Sequence, residues 1–385
     1  MITIDNVLTR GVQKILPSKE RLAKLMEEKK ITLYQGFDPS MPSLHLGNFV
    51  GLMKLRQFQK LGHKVIFLVG DFTGMIGDPT DKLSTRPKLT RKQVLKNSEN
   101  WKKQASMVLD FEGENKAEIL FNSKWSDKIT FKDLMEVASN FTVQQMIERD
   151  MFQERIKNNE PIYLHEFLYP VAQAYDSVAM DVDLEIGGND QLFNMLAGRT
   201  LMQAYKNKEK YVLTTKLLVD KEGKKVGKTT GNALFLDTTP ENFYGGIMSF
   251  PDEVIPLAFE LLTEVSLAGI KEKAQKDPMN EKKRLAFEIV KILWGEKDAM
   301  KAKTNFEKSF QKNSPEYEEK IEMEKTLVET ISQVDSINSM SQAKRLIKDG
   351  AVDVNGKMIK DASFNLKGNE KIKIGKKLFV KVIKK

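Results

Sequence analysis

A strand that runs into a tight turn and then into a helix is the strongest constraint that this sequence places on its fold. Residues 31–34 are apolar and β-prone, Gly36 and Pro39 interrupt the run, and residues 49–58 have helical periodicity. His45 therefore falls beside a predicted helix N-terminus, where backbone N–H groups and the helix dipole favour an anionic ligand. Gly47 would let that ligand approach the backbone closely. Taken alone, the segment could equally place a surface histidine in an ordinary turn.

A lysine-rich loop follows a short predicted strand at residues 217–219. It is not a P-loop, because Gly223 and Gly227 are separated by three residues and that motif needs four between its glycines. Lys225 and Lys228, followed by Thr229, suit a polyphosphate whose charge moves during a reaction. The alternative is a solvated, lysine-rich hairpin.

A polar stripe interrupts an otherwise apolar segment at residues 169–180. Pro170 is expected to be the first residue of a helix over residues 171–180. Gln173 and Asp176 are three residues apart and Tyr169 lies one turn earlier, so all three share one face. Because an unpaired buried polar group costs about 1–3 kcal/mol, the stripe is either a ligand pocket or a network that satisfies itself.

The composition predicts a cytoplasmic protein of two or three domains. The chain has 385 residues, no cysteine and three scattered histidines, which excludes disulfides and argues against a structural metal site. The sequence contains no apolar run near the ~20 residues of a membrane span. The first sixteen residues lack the apolar core of a signal peptide. We therefore expect no bound metal and no membrane partner.

All of the net positive charge lies in the last fifty residues. Residues 336–385 hold thirteen Lys/Arg against four Asp/Glu, an excess that equals the +9 of the whole chain. They also have the pattern of a folded module, with an amphipathic helix over 340–350, an Asn355-Gly356 hairpin turn, and later strands at 371–374 and 378–383. Lys344, Arg345 and Lys348 on that helix are the predicted RNA contacts. A purely structural role is the alternative.

Five stretches in register resemble class I aminoacyl-tRNA synthetases, and specifically their tyrosyl branch. They are His45-Leu-Gly-Asn, Lys225-Val-Gly-Lys-Thr, Gly70-Asp-Phe-Thr-Gly-Met-Ile-Gly-Asp-Pro, Tyr169 to Asp176, and Ile186 to Gln191. The basic module resembles the ribosomal S-four-type RNA-binding domain that some tyrosyl enzymes carry.

The resemblance implies an α/β fold in four parts. A Rossmann-like catalytic domain with a parallel sheet would cover residues 1–237, with an insertion at about 115–159 that supports a homodimer interface. A helical domain that holds the anticodon arm would follow at 238–310, then a linker at 311–328, and a small α+β RNA-binding domain at 329–385. The implied reaction joins L-tyrosine to tRNA(Tyr) through tyrosyl-adenylate, with ATP and its Mg²⁺ as a substrate complex and no tightly bound cofactor.

The resemblance also implies a role for each matching residue. Tyr34 and Asp176 would bind the tyrosine phenol, Asp78, Tyr169 and Gln173 its ammonium, and Gln191 would lie beside its carboxylate. The residues implied for the ATP phosphates and ribose are Gly36, Asp38, Ser40, His45, Gly47, Asn48, Gly188 and Asp190. Leu217 and Leu218 would flank the adenine. Catalysis would rest on His45, Ser40, Lys225, Lys228 and Thr229 through charge stabilisation, with no protein nucleophile.

Two alternatives remain at this stage. Tryptophanyl enzymes share the two main signatures, although Tyr34 paired with Asp176 favours a phenol over an indole. Asn48 stands where the usual signature has a second histidine, which leaves open a relative that binds structured RNA without aminoacylating it.

Overall fold

The computed structural model describes residues 2–80, 89–226, 233–310, 319–334, 337, 339–375 and 378–384. The chain forms two compact units, Met1–Met300 and Lys301–Lys385. No helix in the described ranges combines the length and the apolar character needed to cross a membrane.

The first unit is built on a six-stranded sheet. Its strands are β1 Val12–Leu16, β2 Thr32–Phe37, β3 Lys64–Val69, β4 Glu118–Phe121, β5 Leu184–Gly188 and β6 Tyr211–Thr215. Their spatial order is β1-β6-β5-β2-β3-β4, and every neighbouring pair is parallel except β1 with β6. The predicted parallel α/β sheet is thus confirmed. The chain builds outward from β2 on one side and from β5 on the other, so a topological switch point lies between these two strands. Ligands of open α/β sheets bind at the carboxyl ends of the strands at such a point.

Helices cover the sheet and continue past it. They are α1 Ile4–Thr9, α2 Lys19–Glu28, α3 Leu46–Lys60, α4 Thr73–Ile76, α5 Arg91–Ser98, α6 Trp101–Ala105, α7 Ser123–Ser126, α8 Phe131–Ala138, α9 Val143–Ile147, α10 Asp150–Lys157, α11 Leu164–Met180, α12 Leu192–Lys206, α13 Pro240–Met248, α14 Ile255–Leu262, α15 Ile270–Lys276, α16 Pro278–Trp294 and α17 Glu296–Phe310. Short 3₁₀ turns occupy Asn189–Gln191 and Asp252–Val254.

The predicted strand–turn–helix segment is present, with a longer strand than expected. β2 continues through Gly36 to Phe37, because this glycine stays in the parallel register with β3. His45 is the N-cap of α3. The helix N-terminus therefore lies where the sequence predicted it.

Pro170 lies inside α11 and does not begin it, so the predicted start of this helix is wrong. Proline removes one helical hydrogen bond and costs about 3 kcal/mol in a helix interior. The extra turns before it bury Glu166 against Arg155 and bury the Tyr169 ring. These contacts offset the loss, and the same-face relation of Tyr169, Gln173 and Asp176 is kept.

The predicted insertion begins too early. The predicted range of about 115–159 includes β4, yet β4 pairs in parallel with β3 and completes the sheet. Its four residues are all half-buried, as expected for a short edge strand. Because buried and exposed residues do not alternate along it, the sequence pattern did not predict this strand. The residues between the sheet strands β4 and β5 begin instead after Phe121.

The helical region opens at Pro240 as predicted, with Thr239 as its N-cap. Up to Met300 it belongs to the same compact unit as the sheet, whereas the end of α17 from Lys301 belongs to the second unit. Arg10 contributes to this association, because its guanidinium donates to the carbonyl oxygens of Phe259, Glu260 and Val265 at 2.6–2.9 Å. These bonds connect the N-terminal segment to the end of α14.

The second unit has the predicted helix, hairpin and strands. Its elements are β7 Glu319–Glu322, α18 Leu327–Ile331, α19 Met340–Lys348, β8 Val352–Val354, β9 Lys357–Met358, β10 Lys371–Ile374 and β11 Leu378–Ile383. Asn355 and Gly356 both have positive φ, as a two-residue hairpin turn requires. The sheet order is β7-β11-β10-β8-β9. Residues 319–328 are not a linker, because β7 pairs with β11 and Ile321 and Leu327 are buried in the core of this unit.

Candidate active site

A cavity of about 580 Å³ opens at the carboxyl ends of β2 and β5, at the switch point of the sheet. It is lined by every site residue that the sequence predicted in the described part of the first unit. These are Tyr34, Gly36, Asp38, Ser40, His45, Gly47, Asn48, Asp78, Tyr169, Gln173, Asp176, Gly188, Asp190, Gln191, Leu217, Leu218 and Lys225. Lys228 and Thr229 lie outside the described residues.

A phenol and a carboxylate are buried at one end of this cavity. The Tyr34 hydroxyl is 2.9 Å from Ser177 Oγ. The two Asp176 oxygens accept from Trp125 Nε1 at 2.7 Å and from Asn122 Nδ2 at 3.3 Å. Burial, and after it the Glu185 carboxylate, raise the pKa of Tyr34 well above its usual value. Burial likewise raises the pKa of Asp176, and the bonds from Trp125 and Asn122 oppose that rise. This end can therefore hydrogen-bond a polar group at the tip of an otherwise apolar ligand.

Asp38 joins β2 to α11 and α4. Its Oδ2 accepts from the Tyr169 hydroxyl at 2.8 Å, and its Oδ1 accepts from Thr73 Oγ1 at 2.7 Å. A Cβ at Gly70 would overlap both Asp38 Oδ1 and Thr73 Oγ1. Glycine is needed there because the two side chains occupy that space. Burial and Asp38 together raise the pKa of Tyr169, so its hydroxyl remains a donor.

A third carboxylate, Asp78, is held from two sides. Its Oδ2 accepts from Gln191 Nε2 at 2.7 Å, and its Oδ1 accepts from the Thr80 hydroxyl at 2.6 Å. Arg149 in turn donates to Thr80 Oγ1 at 2.6 Å. Asp78 is thus an oriented anion in the cavity wall, suited to a cationic group of a ligand.

His45 and Asn48 form a reciprocal cap at the start of α3. The Asn48 N–H donates to His45 Nδ1 at 3.3 Å, and the His45 N–H donates to Asn48 Oδ1 at 2.9 Å. A Cβ at Gly47 would lie 2.8 Å from the His45 ring, so a larger residue would displace that ring. The capping role gives a structural reason for an amide at position 48, because its side-chain oxygen accepts from the His45 backbone N–H at the helix N-terminus.

The lysine loop forms a short turn closed by a bridge between Val219 and Lys225. Lys225 Nζ is 2.7 Å from Asp190 Oδ2, so the first lysine of the motif contacts the strand β5 side of the cavity. The hairpin alternative from the sequence is therefore correct about backbone shape. The side chain of Lys225, however, lines the cavity, where it is paired with Asp190.

Comparison with known proteins decides the family. Residues 26–311 match the model described as tRNA synthetases class I (W and Y), and residues 328–372 match the S4 domain. The chain belongs to the class I (W and Y) tRNA synthetases. The resemblance inferred from five short motifs is confirmed.

Individual members of this family are similar to the chain over nearly their full length. The chain is 40% identical to a protein named tyrosine–tRNA ligase from Thermotoga maritima, covering 98% of this chain and 96% of that protein. A protein of the same name from Aquifex aeolicus is 41% identical over 98% and 97%. Among solved structures, a C-terminally truncated mitochondrial tyrosyl-tRNA synthetase from Coccidioides posadasii has a TM-score of 0.65 at 27% identity, covering 78% of this chain and 90% of that one.

Several residues of this synthetase site were missed by the sequence analysis. Thr73, Asn122 and Glu185 line the cavity, while Trp125 and Lys210 support it. Glu185 had a usable signal, because a charged residue in a buried parallel strand is rare unless it is paired. Asn122 and Trp125 had none, since their role depends on β4 lying next to β3. No group of three or more His, Cys, Asp or Glu in the described ranges could hold a metal ion.

Proposed function

We propose that this chain is a tyrosine–tRNA ligase, which activates L-tyrosine with ATP and transfers it to the 3′-terminal adenosine of tRNA(Tyr). One observation carries the proposal: a single cavity joins a buried phenol–carboxylate end to a histidine-capped helix N-terminus and a lysine loop. Membership of the family supports the reaction class. ATP, tyrosine and tRNA meet in the cytoplasm, which is the proposed location.

Tyr34 and Asp176 are the proposed contacts of the substrate phenol. Tyr34 keeps its proton and can donate, whereas the Asp176 oxygens already accept from Trp125 and Asn122 and can accept from the phenol. Phenylalanine would give neither group a hydrogen-bond partner on the ligand, and tryptophan would present an N–H that cannot accept from Tyr34. The polar groups of this end therefore favour tyrosine over both competitors.

Asp78, Tyr169 and Gln173 are proposed to hold the substrate ammonium, with Gln191 beside the carboxylate. The half-buried Asp78 carboxylate is already oriented by Gln191 and Thr80. An oriented anion does not have to reorganise when a cation binds, which strengthens the interaction. The amino-acid group would thereby be held toward the nucleotide end of the cavity.

The chemistry needs no protein nucleophile. In the proposed first step the tyrosine carboxylate attacks the α-phosphorus of ATP in line, and pyrophosphate departs. His45 at the helix N-terminus, with Ser40 and Lys225, would stabilise the negative charge on the phosphates; Lys228 and Thr229 are proposed to assist. Gly36, Asp38, Gly47, Asn48, Gly188, Asp190, Leu217 and Leu218 are the proposed nucleotide contacts. Mg²⁺ would arrive with ATP as part of the substrate.

ATP–pyrophosphate exchange with tyrosine, tryptophan and phenylalanine in turn tests this function. Exchange that depends on tyrosine alone is the expected result. Exchange with tryptophan would assign the chain to the other branch of the family. No exchange with any of the three would contradict the ligase proposal and leave RNA binding as the remaining activity.

The helix α19 is the proposed tRNA contact of the second unit. Ala343 and Ile347 are buried, whereas Lys344, Arg345 and Lys348 are exposed on its surface. A buried apolar face with exposed cations on the outside is suited to a phosphate backbone.

Replacing Lys344, Arg345 and Lys348 by serine is expected to lower the affinity for tRNA and to make that affinity less dependent on salt. Each lost phosphate contact reduces the magnitude of the slope of log K against log salt by ~0.7–0.9, so we expect a reduction of about 2–3 for the triple variant. Tyrosine-dependent exchange should be unchanged. The matched control replaces Lys357, Lys360 and Lys367, which are exposed in the same unit. Equal losses in both triple variants would show that net charge, and not this helix, governs binding.

A homodimer is also proposed, through the region between β4 and α11. Large apolar side chains are exposed there, including Phe131 at 78%, Met135 at 62% and Val143 at 69%. Exposed apolar groups concentrated in one segment are typical of an interface. Sedimentation should give about twice the chain mass of 44.0 kDa, and a monomer at micromolar concentration would contradict the proposal.

A further inference from the structure

A buried carboxylate–ammonium pair lies at the cavity wall, which Glu185 lines and Lys210 supports from behind. Glu185 on β5 is 1% exposed and Lys210, immediately before β6, is 0% exposed. The Lys210 ammonium pairs with Glu185 Oε2 and also donates to the Met195 carbonyl oxygen at 3.1 Å. None of the reaction steps proposed above uses either residue.

The pair determines how the Gln173 amide is oriented. Gln173 Nε2 donates to Glu185 Oε1 at 2.9 Å. A carboxylate only accepts, so Gln173 has to present its NH₂ group to Glu185. The carbonyl oxygen of the amide is then left for the cavity. An ammonium only donates, and this carbonyl oxygen is the end of the amide that it requires.

We infer that Glu185 and Lys210 are positioning residues that hold the Gln173 carbonyl oxygen toward the substrate ammonium. The inference rests on the proposed function, because it assumes that Gln173 meets that ammonium. Lys210 pairs with one oxygen of Glu185, and Gln173 donates to the other. The amide therefore has one favoured orientation before substrate binds.

The surrounding packing is built to admit this pair. A Cβ at Gly198 would overlap Lys210 Nζ and would lie 2.9 Å from Ser177 Oγ, so only glycine leaves room for the ammonium. Lys210 Nζ also lies 5.9 Å from the centre of the Tyr34 ring. Burial lowers the pKa of Lys210, and the Glu185 carboxylate opposes this. The ammonium thus depends on Glu185 for its charge partner.

Glu185→Gln tests the inference, because it keeps the size of the side chain. The new amide at position 185 has one acceptor oxygen, which Lys210 takes, so its NH₂ group would face Gln173 and force that amide to turn. The probes are tyramine, which has an ammonium and no carboxylate, and 3-(4-hydroxyphenyl)propanoate, which has the reverse. By calorimetry, tyramine should bind about 10- to 100-fold more weakly, and the acid should change less than about twofold. Equal losses for both probes would overturn the inference.

Two double variants keep the test valid if Glu185→Gln fails to fold, since neither leaves a charge buried alone. In Glu185→Gln/Lys210→Met the new amide is free to accept from Gln173, so tyramine affinity should stay within a few-fold of the unaltered chain. In Glu185→Leu/Lys210→Met the acceptor is gone, and tyramine should lose about 10- to 100-fold. Equal tyramine affinities for the two double variants would overturn the inference.

Asp183→Asn is the matched control. Asp183 is a buried carboxylate paired with Lys29 and Lys208, and it does not line the cavity. Its replacement should not change the ratio of the two probe affinities. If the unaltered chain binds neither probe, the proposed function fails; if it binds both and the variants weaken both equally, only the positioning role fails.

Discussion

Replacing Asp176 by asparagine is expected to lower kcat/KM for tyrosine in ATP–pyrophosphate exchange by on the order of 10²- to 10³-fold. Asp176 already accepts from Trp125 and Asn122, and the substrate phenol would be a third donor. An asparagine has one acceptor oxygen, so at least one of the three buried donors would lose its partner. The unpaired donor and the lost charge-assisted hydrogen bond together should reduce transition-state stabilisation by about 3–4 kcal/mol.

Discrimination gives a second readout for the same variant. Phenylalanine lacks the phenol, so its kcat/KM should fall far less than that of tyrosine, and the ratio between the two should shrink. Asp181→Asn is the control, because Asp181 ends the same helix, is exposed and has a left-handed φ of 48° that asparagine adopts readily. A folded Asp176→Asn protein with unchanged kcat/KM for tyrosine would contradict the assigned pocket.

Replacing Arg155 by methionine is expected to lower the Tm of the first unit by on the order of 10 °C. Arg155 and Glu166 form an ion pair with side chains 3% and 4% exposed, at an N–O distance of 2.7 Å. Removing the arginine leaves a buried carboxylate whose remaining bond comes from the Tyr163 N–H. Breaking such a pair from one side costs about 3–5 kcal/mol. Thermal unfolding followed by circular dichroism measures the effect.

The double variant Arg155→Met/Glu166→Leu should recover most of that Tm, because an apolar pair leaves no charge unpaired. Lys19→Met is the control at an exposed pair, since Lys19 and Asp5 have side chains 38% and 71% exposed. It should shift stability by less than about 1 kcal/mol. If Arg155→Met changes Tm as little as Lys19→Met does, this pair does not stabilise the fold.

Local patterns in the sequence predicted much of the cavity. His45 was predicted at a helix N-terminus from the strand and turn before it, and it caps α3. Tyr169, Gln173 and Asp176 were predicted on one face from helical spacing, and all three line the cavity. Both predictions depend only on residues within a few turns of one another, where spacing fixes geometry.

The partners of these side chains could not be predicted in the same way. Asp176 meets Trp125 only because the segment after β4 comes to lie beside α11. Gln173 meets Glu185 because α11 packs back on the following strand β5, and helical spacing within α11 does not specify that contact. Local rules also failed where packing outweighed them. Pro170 would favour a helix start, yet burial of the preceding turn keeps it inside α11.

The parallel pairing of β7 with β11 has a consequence for anyone who dissects this chain. A fragment cut at residue 329 would lose β7 and Ile321, which leaves one side of β11 without hydrogen-bond partners and opens the core beneath it. Bare strand edges recruit other chains, so such a fragment is expected to aggregate. A self-contained RNA-binding fragment therefore has to begin upstream of residue 319.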